Sequence, residues 1–152
     1  MADLLLRTAR EADFPAIRQL IYQSRLNPSG LNWRRFVVAE SPQGEFAGCG
    51  QIKPHPQGML ELASIAICAE YRNQGIAAQI IQRLLSDESA RPIYLTCRAE
   101  LGEFYERFGF RDLTPPEMPP YYRNLSYLAN FVMMFSKNRM LVMALARPEQ
   151  ET

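Results

Sequence analysis

A polar turn between an apolar strand and an amphipathic helix is the stretch of this sequence best suited to chemistry. The turn, residues 72–77, follows the apolar run 60–67 and precedes a helical stripe of Ile76, Ile80, Ile81, Leu84 and Leu85. The first four N–H groups of a helix lack intrahelical acceptors, and the helix dipole adds about half a positive charge there. Small Gly75 and Ala77 would let an anion approach, and Arg72 adds a cation. The pattern predicts a phosphate or pyrophosphate site, although a glycine turn without any ligand remains an open interpretation.

Other residue types with reactive side chains are few. His55 is the only histidine and stands between two prolines, where it could act as a base, although turn residues are usually exposed and we expect the same here. Cys49, Cys68 and Cys97 are odd in number and lie in or beside apolar runs, which favours reduced, structural thiols. Without a Cys-x-x-Cys pair or a second histidine, we expect no protein metal site.

Two motifs together resemble a known family. Arg72-x-x-Gly75-x-Ala77 after an apolar strand resembles the acyl-CoA pyrophosphate loop of the GNAT superfamily of N-acetyltransferases, whose pattern is Gln/Arg-x-x-Gly-x-Gly/Ala. About thirty residues later, Tyr105-Glu-Arg-Phe-Gly-Phe110 is similar to the second signature of that superfamily, Tyr-x-x-x-Gly-Phe. The resemblance covers roughly the whole chain, and residues 115–138 match it poorly.

The resemblance implies acetyl-CoA as co-substrate, without a metal, and direct transfer of the acetyl group to a primary amine. The strand backbone at Ile65, Ala66 and Ile67 would pair with pantetheine. The pyrophosphate would lie on Arg72, Asn73, Gln74, Gly75, Ile76, Ala77 and Ala78. Tyr105 matches the usual general acid, and Glu61 stands where some members carry a carboxylate base. The alternatives are a packed aromatic side chain for Tyr105 and an exposed strand end for Glu61.

The acceptor side departs from the family pattern. Arg98 stands where members often have an asparagine, and it could hold an acceptor carboxylate or a cofactor phosphate. Trp33 and Arg34 follow the first helix, a segment that commonly lines the acceptor site in the family; the alternative is a loop pinned by one aromatic residue. The insert at residues 115–138 is expected to wall the acceptor site.

The elements that must position these residues can be read along the chain. Strands are predicted at residues 4–7, 36–39, 46–53, 60–67, 93–97 and 139–146. Helices are predicted from Asp13, as N-cap, to about Leu26, from Ile76 onward, and over residues 99–108. With the resemblance, this predicts an α+β sandwich in one domain, residues 1–152. Its sheet would be mixed and mostly antiparallel, with six to seven strands, a splayed central parallel pair and flanking helices.

The insert divides into two parts. Residues 114–120 contain four prolines, so we expect no regular structure there. A helix should follow, because Tyr121, Leu125, Leu128, Val132 and Phe135 recur at helical spacing. We expect this stripe to be buried; the alternative is a partner-binding face in a pure interaction protein.

Composition excludes several classes of protein. Lys plus Arg (17) nearly balance Asp plus Glu (16), so no overall field favours nucleic acid or an anionic membrane. The start of the chain lacks the features of a signal peptide, and no apolar stretch reaches the ~20 residues that span a bilayer. These features favour a cytoplasmic enzyme. As a separate expectation, we take it to be a monomer or homodimer.

The acceptor is the least determined part of the prediction. Arg34, Arg35, Lys53, Arg98 and Arg123 lie in or beside segments expected to border it. Arginine binds carboxylates well, so an amino acid would supply both a carboxylate and an α-amine. A polyamine or other small amine, a protein N-terminus and a lysine side chain remain open alternatives, as does a non-catalytic acyl-CoA-binding module.

Overall fold

A computed structural model describes residues 3–134 and 139–148. Within them lie seven strands and four α-helices: β1 Leu5–Thr8, α1 Phe14–Gln23, β2 Phe36–Glu40, β3 Phe46–Pro54, β4 Leu60–Ile67, α2 Ile76–Asp87, β5 Ile93–Arg98, α3 Gly102–Glu106, β6 Arg111–Asp112, α4 Pro120–Val132 and β7 Met140–Leu145. The sheet order is β1-β2-β3-β4-β5-β7-β6. The β4–β5 pair is parallel, and its register covers only Leu60 with Ile93 and Glu61 with Tyr94. The predicted fold class is confirmed.

The predicted bounds hold to within a few residues, with three differences. The first helix ends at Gln23 instead of near Leu26, because Arg25 adopts a left-handed φ of 56° and the Leu26 N–H bonds to Ile21 O. The helix predicted over residues 99–108 is a 3-10 turn, Ala99–Leu101, followed by the short α3. The two-residue strand β6 was not predicted, because it is too short to show a pattern.

The chain forms two compact units. The first comprises the described residues up to Lys53 and Leu62–Ser89, and the second comprises Pro54–Glu61 and the described residues from Ala90 onward. In the first unit, β1 pairs with β2 and β2 with β3, both antiparallel. One face of this sheet packs on α1 through a cluster of buried side chains, Ile17, Leu20, Ile21, Phe36, Val38, Cys49 and Ala66.

The opposite face of the first unit receives α2, whose buried stripe is Ile76, Ile80, Ile81 and Leu84. Gly50 permits this close packing. A Cβ at Gly50 would stand 2.8 Å from Ile80 Cγ2 and 2.5 Å from Ile65 Cδ1, both far inside van der Waals contact. The missing side chain therefore sets how closely α2, and with it the turn before α2, approaches the sheet.

An ion-pair cluster joins β1 to the start of α1. Arg7 donates to Asp13 at 2.7 and 2.9 Å and to Glu40 at 2.6 Å. Asp13 was expected to cap α1, but its carboxylate accepts from Arg7 and from the Arg10 N–H instead. The Arg7 guanidinium holds the pKa of Asp13 below its usual range.

The second unit is organised around β5, β7 and β6, which are antiparallel neighbours. Helix α4 packs on β7 through a core of Leu113, Met118, Tyr122, Val142 and Ala144. The prolines before α4 were expected to exclude regular structure. Pro115–Glu117 instead form one 3-10 turn, closed by hydrogen bonds from Thr114 to the Glu117 carboxylate. Proline is compatible with the first positions of a helix because those N–H groups need no acceptor.

The prediction for the buried face of α4 is wrong. Tyr121, Leu128 and Val132 are exposed, Leu125 is half-buried, and Phe135 lies outside the described residues. The inward stripe is Tyr122, Ser126 and Asn130. Asn130 donates to Ser126 Oγ at 3.2 Å and accepts from the Met140 N–H at 3.1 Å. This stripe buries polar groups that find partners, so a search for apolar periodicity selects the wrong side of the helix.

Replacing Arg7 by methionine should lower the free energy of unfolding of the protein by about 1–3 kcal/mol, because two partly buried carboxylates lose their partner. The lowered pKa of Asp13 means that its share of the stabilisation is present above the unfolded aspartate pKa of ~3.9 and is lost as the pH falls through the folded value. Urea unfolding at pH 7 and at stepped pH values below 4 measures both effects.

The exposed pair Arg83–Asp87, at 2.8 Å, provides the matched control. Arg83→Met should cost no more than about 0.5 kcal/mol. Equal losses in the two variants, or a loss in Arg7→Met that does not shrink in acid, would contradict the role given to Arg7.

Candidate active site

The turn before α2, in the first unit, has the backbone geometry of an anion site. Asn73 and Gly75 both have left-handed φ angles, 64° and 76°, a conformation that occurs in loops that bind anions through backbone N–H groups. Within the described residues, no side chain caps the N-terminus of α2. A Cβ built on Gly75 would meet no heavy atom within 4 Å beyond its chain neighbours, so the space above the turn is open. The turn could therefore accept a phosphate group on backbone N–H donors.

Side chains around this turn fix its shape. Arg72 Nε donates to Ile67 O at 3.3 Å, which ties the turn to the end of β4. Gln74 Nε2 lies 3.5 Å from Glu70 O. Ile76 is buried in the core and anchors the helix, whereas Arg72, Asn73, Gln74 and Gly75 of the predicted anion-binding set are exposed.

Strand β4 contains a feature that sequence reasoning missed. Ser64 has a left-handed φ of 59° inside the strand, a conformation that costs a non-glycine residue on the order of 1–3 kcal/mol. Gln51 Nε2 donates to Ser64 Oγ at 2.8 Å and holds this residue in place. The predicted pantetheine-pairing residues, Ile65, Ala66 and Ile67, follow it directly. A β-branched or bulky residue at this position would have argued against the bend. Serine gives no such signal in either direction.

The second unit contains a buried polar cluster made by Glu61, His55 and Tyr122. Tyr122 donates to Glu61 Oε1 at 2.7 Å. His55 Nε2 lies 3.3 Å from the same oxygen and 3.4 Å from the Tyr122 hydroxyl. The side chains of His55 and Glu61 are each 12% exposed. The expectation that His55 is exposed is therefore wrong, and so is the alternative of an exposed Glu61.

Aromatic rings surround this cluster. The His55 ring lies 5.1 Å from Tyr121 and 5.9 Å from Tyr122, and Tyr94 stacks on Tyr122 at 5.2 Å. Burial, with the negative charge of Glu61, raises the pKa of Tyr122. The Tyr122 phenol therefore keeps its proton and remains a hydrogen-bond donor to the carboxylate. Tyr122 was missed because it lies 61 residues from Glu61 in the sequence and one position from the stripe that was predicted to be buried.

Tyr105, the predicted acid, lies in α3 of the same unit. Its half-buried ring contacts Phe104 at 5.1 Å and Phe110 at 6.3 Å. Burial, with a smaller contribution from the nearby Cys97, raises the pKa of Tyr105 to about 12. The phenol is therefore fully protonated at neutral pH and available as a proton donor.

The basic residues predicted for the acceptor side have different surroundings. Arg34 lies over the Trp33 ring at 4.6 Å, so these two residues contact each other. Arg98 is mostly exposed and lies 3.5 Å from Glu100. Arg123 donates to the carbonyls of Pro115 and Met118 at 2.9 and 3.0 Å, which ties the 3-10 turn to α4. Its suggested place in a carboxylate clamp is therefore not supported by its contacts.

The cysteines and potential metal ligands of the described residues form no further site. Cys49, Cys68 and Cys97 are free thiols, and burial raises the pKa of Cys49 to about 12 and of Cys97 to about 11. Their thiolates are thus scarce at neutral pH. Across residues 3–134 and 139–148, no group of three or more His, Cys, Asp or Glu side chains is placed to hold a metal ion. In the same residues, every helix is too short or too polar to cross a bilayer.

The turn and Tyr105 both lie in the part of the chain that matches a family model. The family model described as "Acetyltransferase (GNAT) domain" matches residues 32–112, more than half of the chain. An uncharacterised N-acetyltransferase of Chlorobaculum tepidum is 26% identical over 131 residues, which cover 78% of this chain and 82% of the relative.

Solved structures show the same fold. Rv2747 from Mycobacterium tuberculosis, in complex with CoA and NLQ, is 24% identical with a TM-score of 0.73, over 95% of this chain and 99% of that one. N-acetylglutamate synthase from Neisseria gonorrhoeae, in complex with coenzyme A and N-acetyl-glutamate, is 18% identical with a TM-score of 0.68. That match covers 97% of this chain and 36% of the synthase chain.

Proposed function

The chain belongs to the GNAT acetyltransferase family and is an acetyl-CoA-dependent acyltransferase, and we propose that it acetylates the primary amine of a small acceptor. The whole chain acts as one acetyltransferase domain. The donor binds at the turn before α2, and the amine attacks the thioester directly, without a covalent enzyme intermediate. The observation that carries the acid–base part of this proposal is the buried Glu61 carboxylate.

Donor binding is supported by the turn itself. Left-handed Asn73 and Gly75, the open space at Gly75 and the uncapped end of α2 suit a pyrophosphate. Two solved relatives contain CoA, which supports the same ligand here. The backbone of Ile65, Ala66 and Ile67, after the bend at Ser64, is assigned to the pantetheine arm.

Proton transfer assigns roles to two side chains. The acceptor arrives as an ammonium ion and must lose one proton before its nitrogen can attack the thioester carbon. Glu61 supplies the carboxylate that draws this proton away, directly or through an intervening group. The tetrahedral intermediate then breaks its C–S bond, and the departing thiolate takes the Tyr105 proton. The second proton of the acetylated nitrogen restores the Tyr105 phenol. Amide, CoA thiol and one proton released to solvent balance the reaction.

An amino acid is the acceptor that we favour. Its α-amine, of pKa ~8, is about a tenth neutral at pH 7, whereas a lysine side chain of pKa ~10.4 is only ~0.04% neutral. An α-amine therefore loses its proton to Glu61 more readily than a lysine side chain does. A carboxylate would suit Arg34 and Arg98, and one relative of the same fold is a synthase bound to N-acetyl-glutamate.

Replacing Gly75 by aspartate should abolish acetyl-CoA binding, because a side chain and a negative charge would occupy the space assigned to pyrophosphate. Calorimetric titration with acetyl-CoA measures the effect. Gly30→Asp is the matched control: Gly30 has a similar φ of 68° and open space around it, so the backbone strain is comparable without the anion site. Unchanged affinity in a folded Gly75→Asp protein would refute the donor assignment.

Replacing Tyr105 by phenylalanine should lower kcat by roughly 10- to 10⁴-fold while acetyl-CoA affinity changes little, because only the proton donor is removed. Steady-state thiol release and calorimetry together separate the two parameters. Phe104→Leu, which alters the neighbouring ring and keeps the phenol, should retain kcat within a few-fold. A wild-type kcat in Tyr105→Phe would leave Tyr105 with a packing role.

Free amino acids should be acetylated faster than their carboxamides, which keep the α-amine and lose the carboxylate. Steady-state rates on matched acid and amide pairs, with polyamines and short peptides alongside, measure this preference. The preference should fall in Arg34→Gln or Arg98→Gln. Equal rates on acids and amides would refute the amino-acid assignment, and exclusive reaction of peptides would indicate a protein acetyltransferase.

A further inference from the structure

The second unit holds the only histidine of the chain against the buried carboxylate at the start of β4. We propose that His55 is the general base of the reaction, that Glu61 orients the imidazole, and that Tyr122 anchors Glu61. This inference rests on the proposed function and identifies the group through which Glu61 acts. Residues 55, 61 and 122 would then act together in removing the proton. None of the three lies in either family motif of this chain.

The distances determine which ring nitrogen carries the proton. Glu61 Oε1 is an acceptor only and already receives the Tyr122 hydroxyl proton at 2.7 Å. His55 Nε2 stands 3.3 Å from that oxygen and 3.4 Å from the Tyr122 oxygen. With its proton given to Glu61, the Tyr122 hydroxyl offers Nε2 only a lone pair. This arrangement favours the tautomer with hydrogen on Nε2 and the lone pair of the neutral ring on Nδ1.

The ring is held in one orientation but is not sealed from solvent. Two backbone hydrogen bonds close the turn. The His55 N–H donates to Met59 O at 2.7 Å, and the Gly58 N–H donates to His55 O at 2.9 Å. Tyr121 and Tyr122 contact the ring, while Pro54, Pro56, Gln57 and Gly58 around it are exposed. The imidazole thus joins a buried carboxylate to an exposed turn, a position from which a proton can leave to solvent.

The chemistry follows from this arrangement. Nδ1 takes one proton from the acceptor ammonium ion, directly or through one water, and the free amine attacks the thioester carbon. The imidazolium formed is paired with Glu61 through Nε2–H, so its charge is balanced where it arises. The raised pKa of Tyr122 keeps the Tyr122 proton on the phenol throughout. Tyr105 protonates the thiolate, the second proton of the acetylated nitrogen restores the Tyr105 phenol, and the imidazolium returns its proton to solvent.

The geometry is tested first without any reaction. Because His55 is the only histidine, its ring resonances can be assigned directly in the ¹⁵N-labelled full-length protein. We expect the neutral ring as the Nε2–H tautomer in the wild type, and a loss of that preference in Glu61→Gln. Tyr122→Phe, which keeps the packed ring, serves as a second variant if Glu61→Gln does not fold. An Nδ1–H tautomer in the wild type would overturn the proposal.

Kinetic variants then separate a base from a mere hydrogen-bond donor. His55→Gln keeps an N–H that can reach Glu61 but cannot accept a proton, so kcat should fall about 10²-fold or more with unchanged acetyl-CoA affinity. His55→Ala should fall similarly and regain activity when imidazole is added. Gln57→Ala, in the same exposed turn, should stay within twofold of wild type.

The outcomes distinguish this inference from the proposed function. A wild-type kcat in His55→Gln, or no imidazole rescue of a folded His55→Ala that binds acetyl-CoA, would overturn the role of His55 while the acetyltransferase activity stands. A wild-type protein that binds acetyl-CoA and acetylates no amine of the panel would overturn the proposed function, and the base role would fall with it.

Discussion

A buried carboxylate is the constraint on which the second unit depends. Glu61 is the second residue of β4 and pairs in register with Tyr94 of β5, so its backbone position is fixed by the sheet. Transfer of an ionised carboxylate from water into a protein interior is strongly unfavourable unless hydrogen bonds replace the lost hydration. Tyr122 and His55 provide such contacts. One comes from α4 and the other from the turn before β4, so the carboxylate specifies where both segments must pack.

This requirement explains the unusual composition of residues 114–134. Pro115–Glu117 form a closed turn, and Arg123 binds that turn through two carbonyl oxygens, so the first turn of α4 is held in place. The inward face of α4 then carries Tyr122, Ser126 and Asn130, whose polar atoms have partners in Glu61, in each other and in the β7 backbone. Apolar side chains remain for the outer face, where Tyr127, Leu128 and Phe131 are exposed.

The parts of the fold that could be predicted are those encoded over short distances in the sequence. The strand Leu60–Ile67 was predicted at its observed limits and the helix from Ile76 at its observed start, because an apolar run, a glycine-bearing turn and a 3.6-residue stripe are local signals. The contact of His55 with Glu61 and Tyr122 could not be predicted, since it joins residues up to 67 positions apart. The bend at Ser64 also escaped prediction, because its support comes from Gln51 on another strand.

The same distinction separates the two chemical tasks of the enzyme. In the proposed function, the anion turn acts through backbone N–H groups, so it depends on the left-handed φ angles of Asn73 and Gly75 and on the open space at Gly75. The proposed removal of a proton depends on particular side-chain atoms held within 3.4 Å of one another. A shift of about 1 Å in α4 would leave the turn intact and would separate Tyr122 from Glu61. We therefore expect that, among chains with a similar turn, donor use is shared, whereas the means of deprotonating the acceptor is set by the segment that packs against Glu61. In this chain that segment is α4, with the imidazole of His55 beside it.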